Sequence, residues 1–148
     1  MSLPPLPAEA ILVGATAADW REAVRLAGAA LVRSGAAREG YSDEMIRMID
    51  EHGPYVVIAP GLALAHARPG PDVLGDGLAI VTLGTPVAFG HPHNDPVRVV
   101  LGLAIKNADE HLAAVAGLAN VFNDGTAIQQ LADAASIEEI QAIMRDDS

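Results

Sequence analysis

The sequence contains no cysteine among its 148 residues, which excludes disulfides, thiolate metal sites and a cysteine nucleophile. Aromatic residues make up only 3% of the chain, whereas 51% of its residues are hydrophobic. The core is therefore expected to be aliphatic, with close contacts between elements. A chain of this length buries about two thirds of its unfolded surface, which predicts one globular domain over residues 1–148. Residues 1–8 are expected to form a loose N-terminal segment.

Positive charge is also scarce, because 9 Lys and Arg face 19 Asp and Glu and give a formal net charge of −10. Such a chain offers little counter-charge to phosphate backbones, so nucleic acid is excluded as a partner. A basic protein partner matches the charge better. The competing interpretation is that the charge serves solubility alone.

Long apolar runs are missing although the mean hydropathy is +0.28. The longest stretch, 55–67, is interrupted by Pro60, Gly61 and His66, so direct insertion into a bilayer is not expected. The N-terminus lacks the basic start and the continuous apolar region of a signal peptide, which predicts a cytoplasmic protein.

The first third of the chain has the pattern of a strand followed by two helices. Residues 10–13 form a short apolar run typical of a strand. Thr16 and Asp19 have the spacing of a capping box and predict a helix start, and apolar residues then recur at helical spacing up to Ser34. Ser42 is predicted to cap a second helix, which Gly53 ends.

The rest of the chain changes period and then returns to helices. Strands are predicted at 55–59, 62–67, 78–83 and 97–105. Their near-continuous apolarity indicates cover on both faces. Three later helices are predicted. The first carries Leu112 on its inward stripe and ends at 123–125, and the proposed caps of the three are Asn107 or Asp109, then Thr126, then Ser136 with Glu139. The fold class is α/β, a three-layer α/β/α sandwich with a central mixed sheet, because several strand connections are too short for parallel crossovers.

Histidines are the only plausible centres of chemistry. His52 is predicted to lie in the last turn of a helix, where the helix dipole favours an imidazolium, so we interpret it as structural. His66 ends an apolar run between two Pro-Gly pairs and has the placement of a presented nucleophile. His111 lies in the first turn of a predicted helix on a core-facing stripe, so a buried core histidine and a functional one fit equally well.

Two hypotheses connect the histidines. In the first, four of them bind Zn²⁺ or another divalent metal, since His91 and His93 share one face of an extended segment and Asp95 is a nearby carboxylate. In the second, His66 accepts a phosphoryl group while His111, at the positive end of a helix, holds the oxyanions. The residues alone leave both hypotheses open.

A resemblance favours the second hypothesis. Residues 55–68 read YVVIAPGLALAHAR and closely resemble the active-site segment of mannitol/fructose-type IIA components of the bacterial phosphoenolpyruvate-dependent sugar phosphotransferase system. The ascorbate-type branch is nearest. Supporting matches are DWREA at 19–23, Tyr41, FGH at 89–91, NDPV at 94–97 and DEHL at 109–112.

The resemblance implies a mannitol-type IIA-like fold and a phosphohistidine mechanism. His66 would accept the phosphoryl group from phosphohistidine on HPr and pass it to a cysteine of a IIB component, while His111 orients the phosphate. Arg68 and His91 are candidates for phosphate binding or for supporting it. Neither a metal nor a cofactor is expected. If the protein forms an oligomer, we expect a homodimer.

The main departure from the family is Ala65, because the family usually has Pro immediately before the active histidine. Ala65 restores a backbone N–H and frees φ. The ascorbate assignment depends on this position more than phosphoryl transfer does. Two alternatives are kept: a regulatory IIA-like module that is phosphorylated without sugar transport, and a less favoured His-ligated metal-binding protein.

Overall fold

The computed structural model describes residues 4–123 and 125–147, with side chains as far as Met144. The strands are β1 (Ile11–Ala15), β2 (Val57–Ala59), β3 (Leu62–His66), β4 (Gly77–Val87) and β5 (Val97–Ala104). The helices are α1 (Trp20–Arg33), α2 (Gly40–His52), α3 (Ala108–Val121), α4 (Thr126–Asp133) and α5 (Ile137–Asp147).

The five strands form one mixed sheet in the order β1-β4-β5-β3-β2. β1 is parallel to β4 and β3 is parallel to β5, whereas β4 with β5 and β2 with β3 are antiparallel. The antiparallel pairs are those joined by the short links 60–61 and 88–96, which cannot hold a crossover helix. The predicted mixed sheet is confirmed.

Strand β3 shows how the sheet is covered on both faces. Ala63 and Ala65 belong to the hydrophobic cluster that includes α1 and α2, whereas Leu62 and Leu64 belong to the cluster that includes α3, α4 and α5. Successive side chains of a strand point to opposite faces. The next side chain, His66, is therefore on the face that α3 covers, and the predicted three-layer arrangement is confirmed.

Two predicted helix starts are wrong. The Asp19 carboxylate, not Thr16, caps α1 by accepting the Glu22 backbone N–H at 2.9 Å, because Asp19 with Glu22 is a second capping pair of the same spacing. Helix α2 begins at Gly40, so Ser42 lies inside it. Ser42 is buried because α1 crosses α2 at Gly28, where an added Cβ would lie 1.8 Å from the Ser42 hydroxyl oxygen.

Other boundaries differ by smaller amounts. β2 begins at Val57, so Tyr55 precedes the strand, and β4 continues to Val87. Asn107 caps α3 and Ser136 accepts the Glu139 backbone N–H at 3.2 Å, as predicted. Two further predicted boundaries differ, because α4 begins at Thr126 itself with Gly125 at the N-cap and α3 ends at Val121. Asp124 of the predicted α3 terminus lies outside the described residues.

The N-terminal segment is packed rather than loose over its described part. The carbonyl oxygen of Pro5 accepts the Leu78 backbone N–H at 3.0 Å, and Leu6 packs against both hydrophobic clusters. These contacts tie the segment to the start of β4. Residues 1–3 of the predicted loose segment lie outside the described residues.

None of the helices in the described ranges, 4–123 and 125–147, has the length and apolar character needed to cross a membrane.

Candidate active site

The carboxyl ends of β3 and β5 lie side by side and bring two histidines together. His66 is the last residue of β3 and is in register with Leu103 near the end of β5. The short segment 105–107 then leads from β5 into α3, which Asn107 caps. His111 is in the first turns of α3, so it returns to the end of the strand that carries His66.

Three rings pack in series at this end of the sheet. The ring centroids of His66 and His111 are 5.3 Å apart, with an angle of 48° between the planes. Tyr55 meets His66 edge-on, with centroids 5.6 Å apart and an interplanar angle of 85°. The sequence predicted the two histidines but assigned Tyr55 only to a strand. The sequence did carry a signal for Tyr55, because it begins the apolar run of a chain that has few aromatic residues.

A backbone carbonyl determines which ring nitrogen of His66 has a free lone pair. Its Nδ1 lies 2.8 Å from the carbonyl oxygen of Leu64. Because a carbonyl oxygen only accepts hydrogen bonds, Nδ1 must carry the proton and donate it. In the neutral ring the free lone pair is then on Nε2, which is the nucleophilic nitrogen.

Burial keeps both rings neutral. Desolvation lowers the pKa of His66 below its ordinary value of 6.5, and the hydrogen bond to Leu64 opposes this only in part. The pKa of His111 is lowered first by burial and then by the positive charge that His66 carries when it is protonated. A neutral imidazole is the form that attacks phosphorus, so the site favours nucleophilic chemistry near neutral pH.

His111 presents an unused polar atom at this site. Its Nε2 is buried and has no hydrogen-bond partner among the described residues. A buried polar atom without a partner is costly, which suits a position that an oxyanion occupies during a reaction. The side chain of Asn107 already accepts the Asp109 and Glu110 amides at 2.9 and 3.2 Å. The ring of His111, rather than those two amides, is thus the group offered to an anion.

Comparison with known proteins agrees with this geometry. Residues 5–147 match the family model described as phosphoenolpyruvate-dependent sugar phosphotransferase system, EIIA 2. This chain belongs to that family. An EIIA component of this kind is a phosphotransferase that relays a phosphoryl group through a histidine.

Several relatives of known specificity are similar to this EIIA component. The ascorbate-specific EIIA component of Escherichia coli strain K12 is 32% identical over 133 residues, which cover 89% of this chain and 86% of that protein. The crystal structure of mannitol IIA from E. coli superposes with a TM-score of 0.82 at 30% identity, covering 95% of this chain and 99% of that one. The predicted mannitol-type fold is thereby confirmed.

A further solved structure contains a partner. The E. coli complex of mannitol enzyme IIA with phosphorylated enzyme IIB superposes on this chain with a TM-score of 0.83 at 28% identity, covering 96% of this chain and 98% of that one. EIIA domains thus pair with a IIB component.

Arg68 lies beside the EIIA site and is exposed. Its charge lowers the pKa of the Tyr55 phenol, although burial has the larger effect and leaves that pKa raised. None of the ion pairs between described residues involves Arg68. Arg68 also lines a cleft of about 400 Å³ between α2 and the segment 68–73, together with His52. Its guanidinium is available to an anion.

His91 supports a turn instead of facing the nucleophile. Its Nδ1 accepts the backbone N–H of His93 at 3.1 Å and that of Asn94 at 3.0 Å. The carboxylate of Asp95 accepts the amides of Phe89, Gly90 and His91. The FGH and NDPV matches therefore build one hydrogen-bonded turn.

This turn lies at the opposite end of β3 from His66. The Gly61 amide, immediately before β3, donates to the carbonyl of Asn94 at 3.0 Å. At about 3.3 Å per residue, the five residues of β3 separate its two ends by roughly 13 Å. The position of His91 thus does not support its predicted part in phosphate binding.

The same separation removes the metal hypothesis. His66 faces His111 at one end of the sheet, whereas His91 contacts His93 at the other, with ring centroids 6.3 Å apart. No group of three or more His, Asp or Glu within the described ranges is arranged to hold a metal ion. The hypothesis that four histidines share one metal is wrong. His52 occupies the last turn of α2, as expected of a structural residue.

Proposed function

We propose that this EIIA component carries a phosphoryl group on Nε2 of His66 between HPr and a IIB component. The observation that carries the proposal is the hydrogen bond from Nδ1 to Leu64, which leaves the Nε2 lone pair free on a ring that packs against His111. In the first step the P–N bond of phosphohistidine on HPr breaks as a P–N bond to His66 forms. In the second step that bond breaks as a P–S bond to the IIB cysteine forms. The proton on Nδ1 stays in place throughout.

His111 and Arg68 supply electrostatic stabilisation in this proposal. Phosphoryl transfer passes through a loose transition state whose charge is spread over three oxygens, so positioned donors contribute most of the catalysis. The buried Nε2 of His111, when it carries the proton of that neutral ring, donates to one of these oxygens. The guanidinium of Arg68, which forms no ion pair with another described residue, offsets further negative charge.

Three exposed apolar side chains lie at the same end of the sheet as His66 and favour transient protein docking. Tyr55, Leu74 and Leu112 are 40%, 44% and 72% exposed, and they are the large hydrophobic residues that stand out as exposed among the described residues. Tyr55 contacts His66 and Leu112 follows His111, while Leu74 lies in the loop that leads to the start of β4 at the same end of the sheet. The sequence prediction had placed Leu112 inward. A bared apolar patch beside a reactive group is typical of a docking surface.

This proposal includes three predictions. The phosphoryl donor is HPr, the protein is located in the cytoplasm, and it forms a homodimer. A phosphoryl donor and acceptor in the same compartment require the protein to be there too. The substrate of the transport system is proposed to be of the ascorbate type, on the basis of the similar E. coli protein named for that specificity. Sedimentation of the purified protein tests the dimer.

The first prediction tests the nucleophile. Incubation with phosphoenolpyruvate, enzyme I and HPr should add one acid-labile, base-stable phosphate to the wild type, and His66→Ala should abolish it because no other ring has this geometry. His93→Ala, which changes an exposed histidine at the far end of the sheet, is the matched control and should label normally. Full labelling of His66→Ala would refute the proposal.

Onward transfer separates a transport component from a regulatory one. Isolated phosphoprotein should lose its phosphate to a IIB cysteine, producing an acceptor whose label is stable to acid and removed by iodine. Labelling by HPr without transfer to any IIB of the ascorbate, mannitol or fructose type would favour the regulatory module.

A further inference from the structure

The phenol of Tyr41 is buried directly behind the nucleophile strand. Tyr41 is only 1% exposed and packs with the cluster that includes α1 and α2. Its hydroxyl oxygen accepts the backbone N–H of Ala67 at 3.1 Å, and the hydroxyl donates to the carbonyl oxygen of Leu103, with 2.6 Å between the two oxygens. One side chain of α2 thus binds backbone groups from two chain segments at the active end of the sheet.

Both of these backbone groups are tied to His66. Ala67 is the next residue along the chain, and Leu103 is the residue of β5 in register with His66. β3 ends at His66, so strand pairing no longer fixes the chain at Ala67. The Tyr41 hydroxyl takes over from the strand at this point.

The hydroxyl can do this because it keeps its proton. Burial raises the pKa of Tyr41 to about 12, with the hydrogen bond at Ala67 acting in the opposite direction. A neutral phenol donates one hydrogen bond and also accepts. The hydroxyl donates its proton to the carbonyl of Leu103, because the carbonyl of Ala67 is farther away at 3.3 Å.

Pairing with β5 holds the backbone as far as His66, so the restraint by Tyr41 acts on the chain that follows the ring. Unlike Pro, Ala65 does not fix the backbone φ before His66. The reactive tautomer nevertheless depends on the 2.8 Å bond between Nδ1 and the carbonyl of Leu64, which needs the backbone from Leu64 to His66 held still.

We propose that Tyr41 is a positioning residue for His66, whose hydroxyl holds the chain after the nucleophile so that Nδ1 stays on Leu64 and Nε2 stays free. The inference rests on the proposed function for its kinetic consequence. Its geometric consequence, the tautomer of His66, is independent of any partner protein.

The test compares Tyr41→Phe with Thr82→Val. Phe keeps the buried ring and removes the hydroxyl. Thr82→Val removes another buried hydroxyl, which accepts the Gly14 N–H at 2.8 Å, but Thr82 is in register with Val99, opposite Leu62 at the far end of β3. Thr82→Val therefore loses one part-buried hydrogen bond at the far end of the sheet, whereas Tyr41→Phe loses two buried ones at the active end.

Two readouts are measured for each protein. Tyr41→Phe should lower kcat for phosphoryl acceptance by about 10-fold to about 100-fold with KM for HPr unchanged, because misplacement of a reacting group costs this much. The ¹⁵N signals of the His66 ring should show Nδ1 partly deprotonated in Tyr41→Phe only. Thr82→Val should match the wild type in both readouts.

The outcomes separate the two proposals. An unchanged His66 tautomer in Tyr41→Phe, or the same slowing in both variants, overturns the positioning role. A wild type that HPr does not phosphorylate refutes the proposed function, while the ¹⁵N comparison still decides the role of Tyr41. If Tyr41→Phe does not fold, hydrogen exchange of the wild type decides. Protection of the Ala67 amide supports the role, and exchange at the rate of an unprotected amide overturns it.

Discussion

At the scale of single residues, the carbonyl oxygen of Leu64 and the burial of two rings determine what His66 does. The carbonyl fixes the proton on Nδ1, and desolvation keeps the imidazole neutral. His111 adds a buried nitrogen with no partner among the described residues. These effects act on the same ring, so the reactivity of His66 comes from its neighbours as much as from its own chemistry.

The lowered pKa values make folding stability depend on pH. In the unfolded chain both histidines have their ordinary pKa of 6.5, whereas in the folded chain the pKa of each is lower. As pH falls through that value the unfolded state takes up more protons, so the free energy of unfolding decreases. Thermal unfolding by circular dichroism should show a falling Tm between about pH 7 and about pH 5.

The double variant His66→Gln, His111→Gln provides the control for this pH dependence. It should flatten the fall in Tm, since the two depressed groups are gone. A double variant with the same dependence as the wild type would show that other groups cause it.

At the scale of elements, α3 holds His111 in place through its amino-terminal cap. The side chain of Asn107 accepts hydrogen bonds from two backbone amides there. Only a narrow face of α3 is buried, and the buried residues of the helix are Ala114 and Leu118. Helix α3 therefore depends on its cap more than a broadly buried helix would. The position of His111 depends on it in turn.

Asn107→Ala should lower stability by about 1 kcal/mol, the usual contribution of an N-cap, and should also slow phosphoryl acceptance. The matched control is Ser136→Ala, which removes the cap of α5, a helix packed on β1 at the edge of the sheet. Urea unfolding should report similar losses for both variants, but transfer should slow only for Asn107→Ala. Equal transfer rates would contradict this dependence.

The crossing of α1 over α2 is the other critical contact between elements. Gly28→Ala places a methyl group 1.8 Å from the Ser42 hydroxyl oxygen, so overpacking should cost about 1 to about 3 kcal/mol. Adding Ser42→Gly removes the clash and should recover part of that loss. Gly75→Ala is the control, because an added Cβ there meets nothing within 4 Å. The wild type, Gly28→Ala, the double variant and Gly75→Ala are compared by urea unfolding. Equal loss at Gly28 and Gly75 would rule out the close crossing.

At the scale of the whole molecule, the formal charge of −10 bears on partner binding. Asp109 and Glu110 are exposed in the first turn of α3, directly before His111. Acidic groups beside the nucleophile would steer a basic donor towards it and raise the rate of association.

Phosphoryl transfer from HPr should therefore slow by about 10-fold between low and high ionic strength, because salt screens the attraction. Glu110→Gln should weaken this salt dependence. Glu138→Gln, which removes an equally exposed charge from the first turn of α5 on the opposite edge of the sheet, should leave it unchanged. Rates independent of salt would mean that the charge serves solubility alone.

Prediction from sequence succeeded where a pattern is local or a motif is specific. The near-continuous apolarity of β3, which indicated cover on both faces, and the caps at Asn107 and Ser136 are local features, and both were predicted. It failed where two local signals compete or where a distant contact decides. Asp19 displaced Thr16 as a cap, and the crossing of α1 buried Ser42.

The sequence by itself determined that the sheet is mixed and that its core is aliphatic, and its resemblance to the IIA family marked His66 and His111 as the candidate pair. Short links and apolar periodicity involve only a few neighbouring residues, so they can be recognised in the sequence. Only the tertiary structure decided which nitrogen of His66 is free, that Tyr41 and Tyr55 flank the nucleophile strand, and that His91 lies at its far end. The positions of Tyr41 and His91 depend on contacts between segments far apart in sequence, whereas the free nitrogen depends on how the His66 ring turns onto the carbonyl of Leu64, two residues away.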